Sequence, residues 1–170
     1  MQYSRYSKLF HWIIAIAVLV EYLSTLVMPE EARTPEALVN FHMSFGLVIL
    51  ALMFVRLVSR LFTAVPPPEA SMPMWQERLS RITHYALYSL LIVMPVAGWL
   101  WASSMGWQVT LFGLVDIPQL VSAQAGLAEI FEGVHSFVGG LILTIVGLHV
   151  AAALYHWLIL KDSVMQRMWP

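Results

Sequence analysis

The chain has 170 residues, of which 59% are hydrophobic and 11% charged, and its mean hydropathy is +0.74. This composition excludes an ordinary soluble domain and the length excludes a large transporter, so we expect one integral membrane domain over residues 1–170. The net charge of -1 gives no reason to expect a nucleic-acid partner. The lack of cysteine excludes disulfides, thiolate-bound iron–sulfur clusters and covalently attached haem.

Four apolar runs are long enough to cross a membrane as helices, because the hydrocarbon core needs about 20 mostly apolar residues. They lie near residues 9–28, 37–62, 82–102 and 130–160, and they predict an all-α integral membrane four-helix bundle. The fourth run is longer than a bilayer requires, so we expect it to tilt or to project beyond the membrane. The first run lacks a small-residue cleavage site and contains Glu21, so we interpret it as a retained span.

The basic residues predict the orientation of the bundle, because cytoplasmic loops are enriched in Lys and Arg. Eight of the nine flank the spans on one side, which is therefore predicted to be cytoplasmic and to hold both termini. They are Arg5, Lys8, Arg56, Arg60, Arg78, Arg81, Lys161 and Arg167. The opposite loops combine Arg33 with six carboxylates, so the predicted outer face is acidic. These carboxylates belong to Glu30, Glu31, Glu36, Asp116, Glu129 and Glu132.

The connections between the runs differ in character. Three consecutive prolines from Pro66 predict a stiff, extended link between the second and third runs. The connection over residues 103–129 is long and interrupted by Gly and Pro, and we expect it to lie across the membrane surface around Trp107 and Phe112.

Five of the six histidines fall inside apolar stretches, where a titratable side chain is costly and usually functional. His42 and His135 lie at similar depth in spans entered from the outer side, which predicts an outer pair. His149 lies near the inner end of the fourth run, where His11 and His84 compete to pair with it. On one helix, His135 and His149 would share a face and lie roughly 21 Å apart at about 1.5 Å per residue.

Paired imidazoles at matched depth in a helical bundle suit a haem ligated by two histidines, one on each face of the iron. The porphyrin is a broad plate, so small residues are expected one turn after each ligand. Four histidines meet this requirement, with His11 followed by Ala15, His42 by Gly46, His135 by Gly139 and His149 by Ala153. His84 and His156 are followed instead by Tyr88 and Leu160. The pattern therefore selects the first four as iron ligands.

Other interpretations remain open at this stage. A single buried histidine can hydrogen-bond between helices, and small residues also serve ordinary close packing. Metal binding without haem and a proton relay have less support, because carboxylates at ligand spacing are missing from the spans apart from Glu21. We interpret Glu21 itself as a packed or snorkelling carboxyl group. A transporter or a structural bundle without cofactor is a further alternative.

Several short motifs are spread over nearly the whole chain. They are Tyr3-Ser4-Arg5 with Lys8 and His11-Trp12, the segments 41–46 and 56–60, His84-Tyr85, Pro95-Val96-Ala97-Gly98, and the segment 147–156 with Lys161-Asp162. With these motifs the chain resembles the bacterial di-haem cytochrome b561 family, which includes a superoxide:ubiquinone oxidoreductase. The last motif is quite specific. One departure is the acidic segment Pro29-Glu30-Glu31-Ala32-Arg33, which disfavours an anionic substrate.

The resemblance implies two b haems in a bundle of the bacterial inner membrane, with His11 and His149 ligating the inner haem and His42 and His135 the outer one. It also implies electron exchange with ubiquinone. Cationic side chains at the inner end are expected to hold the inner haem's propionates. These are Arg5, Lys8, Arg56, Arg60, Arg81 and Lys161. The remaining histidines, His84 and His156, are predicted to line a quinone or propionate site near the cytoplasmic interface.

Two functions are compatible with these expectations. In the first, the protein is an enzyme that oxidises superoxide at its outer haem and reduces ubiquinone. In the second, it is a membrane electron-carrier subunit or partner of another redox protein, of dehydrogenase or hydrogenase type, without catalysis of its own. An exposed outer haem edge beside Arg33 would favour the enzyme, and an acidic or apolar docking face would favour the carrier.

Overall fold

Four long helices form the protein, as described by a computed structural model of residues 2–28, 37–63, 66–69 and 72–169. They are α1 (Arg5–Leu26), α2 (Ala37–Phe62), α3 (Met74–Ser104) and α4 (Ala125–Tyr155). Each is long and apolar enough to cross a membrane. The predicted all-α membrane fold with four spans is therefore confirmed, whereas the predicted side on which the termini lie stays a prediction.

Three helices begin before the apolar runs that predicted them, and α1 starts at Arg5 rather than near residue 9. Helix α3 begins at Met74 rather than near residue 82, and α4 begins at Ala125 rather than near residue 130. The added turns of α3 are polar, and Arg81 pairs there with Glu77 at 2.5 Å on an exposed surface. Hydropathy identifies only the apolar part of a helix, so the polar turns of α3 were missed.

The first and last described residues lie at the same end of the bundle, which we call the terminal end. After α4 a π-helical segment, His156–Leu160, leads through Lys161 into the short helix α5 at Val164–Met168. Lys161 has a positive φ of 52°, which turns the chain. The indole Nε1 of Trp12 in α1 donates to the carbonyl of Met168 at 3.0 Å. The last residues therefore pack against the start of the first helix.

The proline-rich link between α2 and α3 contacts the same segment. Arg167 in α5 donates to the Glu69 carboxylate at 2.7 Å and to the Pro67 carbonyl at 2.6 Å. The hydroxyl of Ser163 also donates to Glu69. The described part of the link is therefore held against the C-terminal segment.

A short β-hairpin lies at the opposite end of the bundle, which we call the hairpin end. Its strands, β1 (Thr110–Leu111) and β2 (Val115–Asp116), pair antiparallel. The turn between them uses positive φ angles at Phe112 and Gly113. Strands of two residues leave no period in the sequence, so the hairpin was not predicted within the long outer connection.

Buried polar groups of α2 fix the hairpin to the bundle. The Ser44 hydroxyl is fully buried, lies 3.0 Å from the Thr110 carbonyl and accepts from the N–H of Phe112 at 2.9 Å. The Asn40 side-chain oxygen accepts from the N–H of Thr110 at 3.2 Å. These bonds satisfy hairpin groups that would otherwise be buried without partners.

The apolar core lies between the first three helices. Ile14 and Ala17 of α1 contact Ile49 and Met53 of α2, and α3 adds partly buried side chains including Leu91. Much of the remaining apolar surface faces outwards, as Phe137 and Leu148 of α4 illustrate with 72% and 65% exposure. In a membrane these faces contact lipid.

Candidate functional site

His42 of α2 and His135 of α4 face each other at the hairpin end. Their ring centroids lie 6.1 Å apart and their planes meet at 78°. Two imidazoles that bind one metal ion from opposite sides, each through a bond of about 2 Å, have centroids about 6 Å apart. The spacing therefore leaves room for one metal ion held between the two rings.

The two rings line a cavity of about 820 Å³ between the helices. Each helix contributes a small residue to its wall, namely Ala15, Gly46, Gly98 and Gly139. A cavity of this size holds a ligand of drug size or larger. Gly46 and Gly139 were predicted to give clearance to the outer haem and lie on this wall. Ala15 was predicted to clear the inner haem but lies on the wall of this cavity instead, and Ala153 lies outside it.

Hydrogen bonds determine which nitrogen of His135 carries its proton. Nδ1 lies 3.2 Å from the carbonyl oxygen of Met94 in α3. A carbonyl only accepts, so Nδ1 donates and Nε2 is the nitrogen that keeps a free lone pair. The ring is therefore prepared to ligate a metal through Nε2.

His42 is held by two residues of α1. The Ser24 hydroxyl donates its proton to the Glu21 carbonyl at 2.7 Å. Its oxygen also lies 3.2 Å from Nδ1 of His42, and towards this nitrogen the oxygen can only accept. The carboxyl oxygen Oε1 of Glu21 also lies 3.2 Å from Nδ1. Here too the proton is on Nδ1, which leaves Nε2 as the free donor atom for a metal.

Gly98 allows α3 to approach His135. A Cβ atom at this position would lie 2.9 Å from Cε1 and 3.0 Å from Nδ1 of the imidazole. Real Cβ contacts are essentially never closer than 3.0 Å, so any larger side chain would displace the ring. The Met94 carbonyl that orients His135 lies one helical turn earlier on the same helix.

Three histidines meet at the terminal end. The ring of His149 lies 6.2 Å from that of His11 and 5.3 Å from that of His84. His84 donates from Nδ1 to the Ser80 carbonyl at 2.6 Å, so its Nε2 is also free. The sequence left His11 and His84 as competitors until their neighbours were compared, and the structure brings both of them to His149.

The predicted propionate partners at the terminal end occupy different positions. Arg56 reaches inwards, donating to the Tyr88 hydroxyl at 2.9 Å and to the carbonyl of Ser7, one turn before His11. Arg60 lies over the ring of Tyr3. The four other predicted partners are nearer the surface, where Arg81 pairs with Glu77. Lys8 donates to Gln2 in an exposed hydrogen bond, and Arg5 and Lys161 are exposed.

His156 forms a buried pair with Asp162. Its Nδ1 lies 2.5 Å from the Asp162 carboxylate, and the residue is only 9% exposed. The other Asp162 oxygen accepts from the N–H of Val164 at 3.0 Å. His156 is therefore a fixed imidazole rather than a freely solvated one. The predicted outer cation, Arg33, lies outside the described residues.

The side chains present fit a haem better than a bare metal ion. Among the described residues, no group of three or more His, Cys, Asp or Glu side chains could hold an ion. Each histidine pair offers two nitrogens, and a porphyrin supplies the four equatorial ones. Two buried polar atoms on the wall of the hairpin-end cavity, Glu21 Oε2 and Trp101 Nε1, have no partner within the described part of the protein. Such atoms indicate a cavity that receives an occupant.

Comparison with known proteins agrees with this geometry. The model of the family described as prokaryotic cytochrome b561 matches residues 2–170. The chain belongs to this family. It is a multi-pass membrane electron-transfer protein of the bacterial inner membrane, and haem b is the cofactor that membership implies.

Curated relatives cover almost the whole length. A probable superoxide oxidase CybB of Yersinia pestis is 28% identical over 161 residues, covering 94% of this chain and 91% of that protein. Cytochrome b561 homolog 2 of Escherichia coli (strain K12) is 26% identical over 174 residues, covering 98% and 90%. Cytochrome b561 homolog 1 of the same organism is 25% identical over 177 residues, covering 98% of each chain.

The sequence did not reveal every residue that shapes this cytochrome b561 site. Glu21 is packed, as the sequence suggested, but its contact with His42 was not foreseen. Gly98 was noticed only as part of a family motif, and Trp101 and Asp162 were given no role. An ionisable residue inside an apolar span is by itself a functional signal, and Glu21 carried that signal.

Substitution of Gly98 tests the close approach of α3 to His135. We expect Gly98→Ala to displace the His135 ring and to lower the haem b content of the purified protein, measured by the reduced-minus-oxidised absorbance spectrum. Gly133→Ala is the matched control, because a Cβ atom there meets no atom within 4 Å and Gly133 is not part of the cavity wall. Alanine is also preferred over glycine in a helix, by about 1 kcal/mol. Equal haem content in both variants would contradict the steric role of Gly98.

Proposed function

We propose that the protein carries electrons across the inner membrane, between its outer face and the quinone pool, through two b haems that are each held by two histidines. The observation that carries the proposal is the equal spacing of two ring pairs at two levels of the bundle. His42 and His135 lie 6.1 Å apart, and His11 and His149 lie 6.2 Å apart. Membership of the cytochrome b561 family supports the same function.

The choice of His11 over His84 at the terminal end rests on two arguments. The spacing of His11 from His149 matches that of the other pair, whereas the rings of His84 and His149 are closer, at 5.3 Å. The residue one turn after His11 is Ala15, but after His84 it is the bulky Tyr88. A porphyrin plate passes more easily beside the smaller side chain.

The haems supply one-electron transfer when bound, and the protein controls it through ligands, burial and spacing. His135 and His149 belong to one helix and lie roughly 21 Å apart at about 1.5 Å per residue, so α4 sets the separation of the two levels. The Arg56 guanidinium donates to the carbonyl of Ser7, which places a cation near His11 and His149. The described residues at the level of His42 include no Lys or Arg. The two haems should therefore differ in potential.

We assign quinone exchange to the terminal end. His84 and His156 lie there and are not among the four proposed iron ligands. Reduction of a quinone needs protons as well as electrons, and an imidazole can donate to a carbonyl oxygen and pass on a proton. The Asp162 carboxylate holds Nδ1–H of His156, so Nε2 is the atom left to accept or transfer a proton. Ubiquinone is the quinone that the resemblance implies.

Removal of either hairpin-end histidine tests the two-haem assignment. We expect His42→Ala and His135→Ala each to remove about half of the haem, because in either variant the outer haem would lose one of the two histidines that hold it. The inner haem should remain, as seen in the reduced-minus-oxidised spectrum and in the haem-to-protein ratio. Wild-type protein with one haem, or loss of both haems from folded variants, would contradict the assignment.

Removal of His84 or His156 tests the quinone site. Both alanine variants should keep their full haem content but slow the oxidation of reduced haem by added ubiquinone, by roughly tenfold to a hundredfold, since a positioned acid–base group contributes at least that much. Glu77→Gln is the control, because it changes an exposed ion pair at the same end. Unchanged quinone kinetics in both histidine variants would exclude the site, and lost haem would overturn the ligand choice.

A second candidate activity is oxidation of superoxide, favoured by similarity to the probable superoxide oxidase of Yersinia pestis. Two superoxide ions would each lose one electron and become oxygen, and one ubiquinone would take up two electrons and two protons. The electrostatic field of the described hairpin end opposes the approach of an anion. It carries exposed carboxylates at Asp116, Glu129 and Glu132, without a Lys or Arg among its described residues.

The dependence of the superoxide reaction on salt tests this field. If superoxide is the substrate, its rate should rise with ionic strength, because salt screens the acidic surface within a Debye length of about 10 Å at 0.1 M. Glu129→Gln combined with Glu132→Gln should raise the rate at low salt and flatten its salt dependence, whereas Glu77→Gln at the other end should not. A rate that falls steeply with salt, measured by rapid mixing, would show that the substrate meets a positive patch instead.

A further inference from the structure

We propose that Glu21 and Ser24 are positioning residues for the outer haem ligand His42, and that their contact with its Nδ1–H lowers the reduction potential of the haem bound there. The inference rests on the proposed ligation by His42 and His135. It assigns a role to an ionisable side chain inside a membrane span, where such a group is costly to bury.

The contact geometry supports a shared acceptor. Ser24 Oγ and Glu21 Oε1 both lie 3.2 Å from Nδ1 of His42. The Ser24 proton is used in its 2.7 Å hydrogen bond to the Glu21 carbonyl, so the hydroxyl oxygen can only accept from the imidazole. Nδ1 is therefore the protonated nitrogen, and Nε2 remains for the iron.

Packing holds the Glu21 carboxyl group in place. The side chains of Glu21 and His42 are 17% and 15% exposed, and both line the cavity. A Cβ atom at Gly46 would lie only 3.3 Å from Oε1, so the glycine leaves space for the carboxyl group as well as for the cavity. The carboxyl group therefore occupies a defined position between α1 and α2.

The two axial ligands of the outer site are held by different groups. His135 donates to a backbone carbonyl, that of Met94, whereas His42 contacts a hydroxyl and a carboxyl group. An acceptor at the second ring nitrogen makes an imidazole a stronger electron donor to its metal and fixes its orientation. A stronger donor favours the oxidised iron, so removal of the acceptors should raise the potential.

A redox titration of the intact two-haem protein tests the proposal. Glu21→Met removes the carboxyl group at similar side-chain length, Ser24→Ala removes the hydroxyl, and the double variant removes both. We expect the outer midpoint potential to shift to more positive values in each single variant and furthest in the double variant. Glu21→Gln keeps an acceptor oxygen and should stay close to wild type. The inner haem serves as an internal control and should not shift.

The component that disappears in His42→Ala identifies the outer haem in these titrations. A wild-type protein with one component, or retention of both in His42→Ala, would refute the haem assignment itself. With that assignment intact, an unchanged outer potential in the double variant would overturn the proposal. Equal shifts of both haems would also overturn it, because they indicate a change of the whole bundle. Loss of the outer haem from Glu21→Gln would also overturn the proposal, because the amide oxygen can still accept from Nδ1 of His42 and the haem should therefore be retained.

Discussion

A histidine buried in a membrane must place its ring N–H on an acceptor, because hydrocarbon offers none and an unsatisfied polar group costs several kcal/mol. In this protein an acceptor contacts Nδ1 of His42, His135 and His156, which are largely buried. The more exposed His84 makes the same kind of bond to the Ser80 carbonyl. Because the proton and its acceptor are at Nδ1, the other ring nitrogen, Nε2, keeps a free lone pair. The folding requirement and the ability to bind a metal are therefore met by the same hydrogen bonds.

The same constraint explains the close packing of α3 and α4. The Met94 carbonyl reaches His135 only because Gly98, one turn later, has no side chain to separate the helices. At the terminal end, Ser80 and His84 repeat the pattern within α3 itself. A backbone carbonyl of α3 thus orients an imidazole of the neighbouring helix in one case and of its own helix in the other.

The apolar runs and the histidine depths were enough to predict the four-helix fold and the facing of His42 and His135. They failed where polar chemistry decides the structure. The polar start of α3 projects beyond the apolar run, and the hairpin depends on buried bonds of Ser44 to residues far along the chain. Likewise, the contact between Glu21 and His42 joins two helices, and no spacing within one helix could reveal it. Local periodicity reports which face is apolar but not which polar groups meet across it.

Helix α4 contributes one member to each of the two ring pairs, His135 and His149, while their partners lie on α2 and α1. Since a chain is made from its N-terminus, the first three helices exist before α4 does. At that stage His42 has no histidine ring opposite it, and His11 has only His84 of α3 at its level. Neither of the two proposed ligand pairs is then complete. If these pairs are the haem ligands, as proposed, assembly of both sites is coupled to insertion of the last span, and a chain interrupted before α4 would hold neither haem.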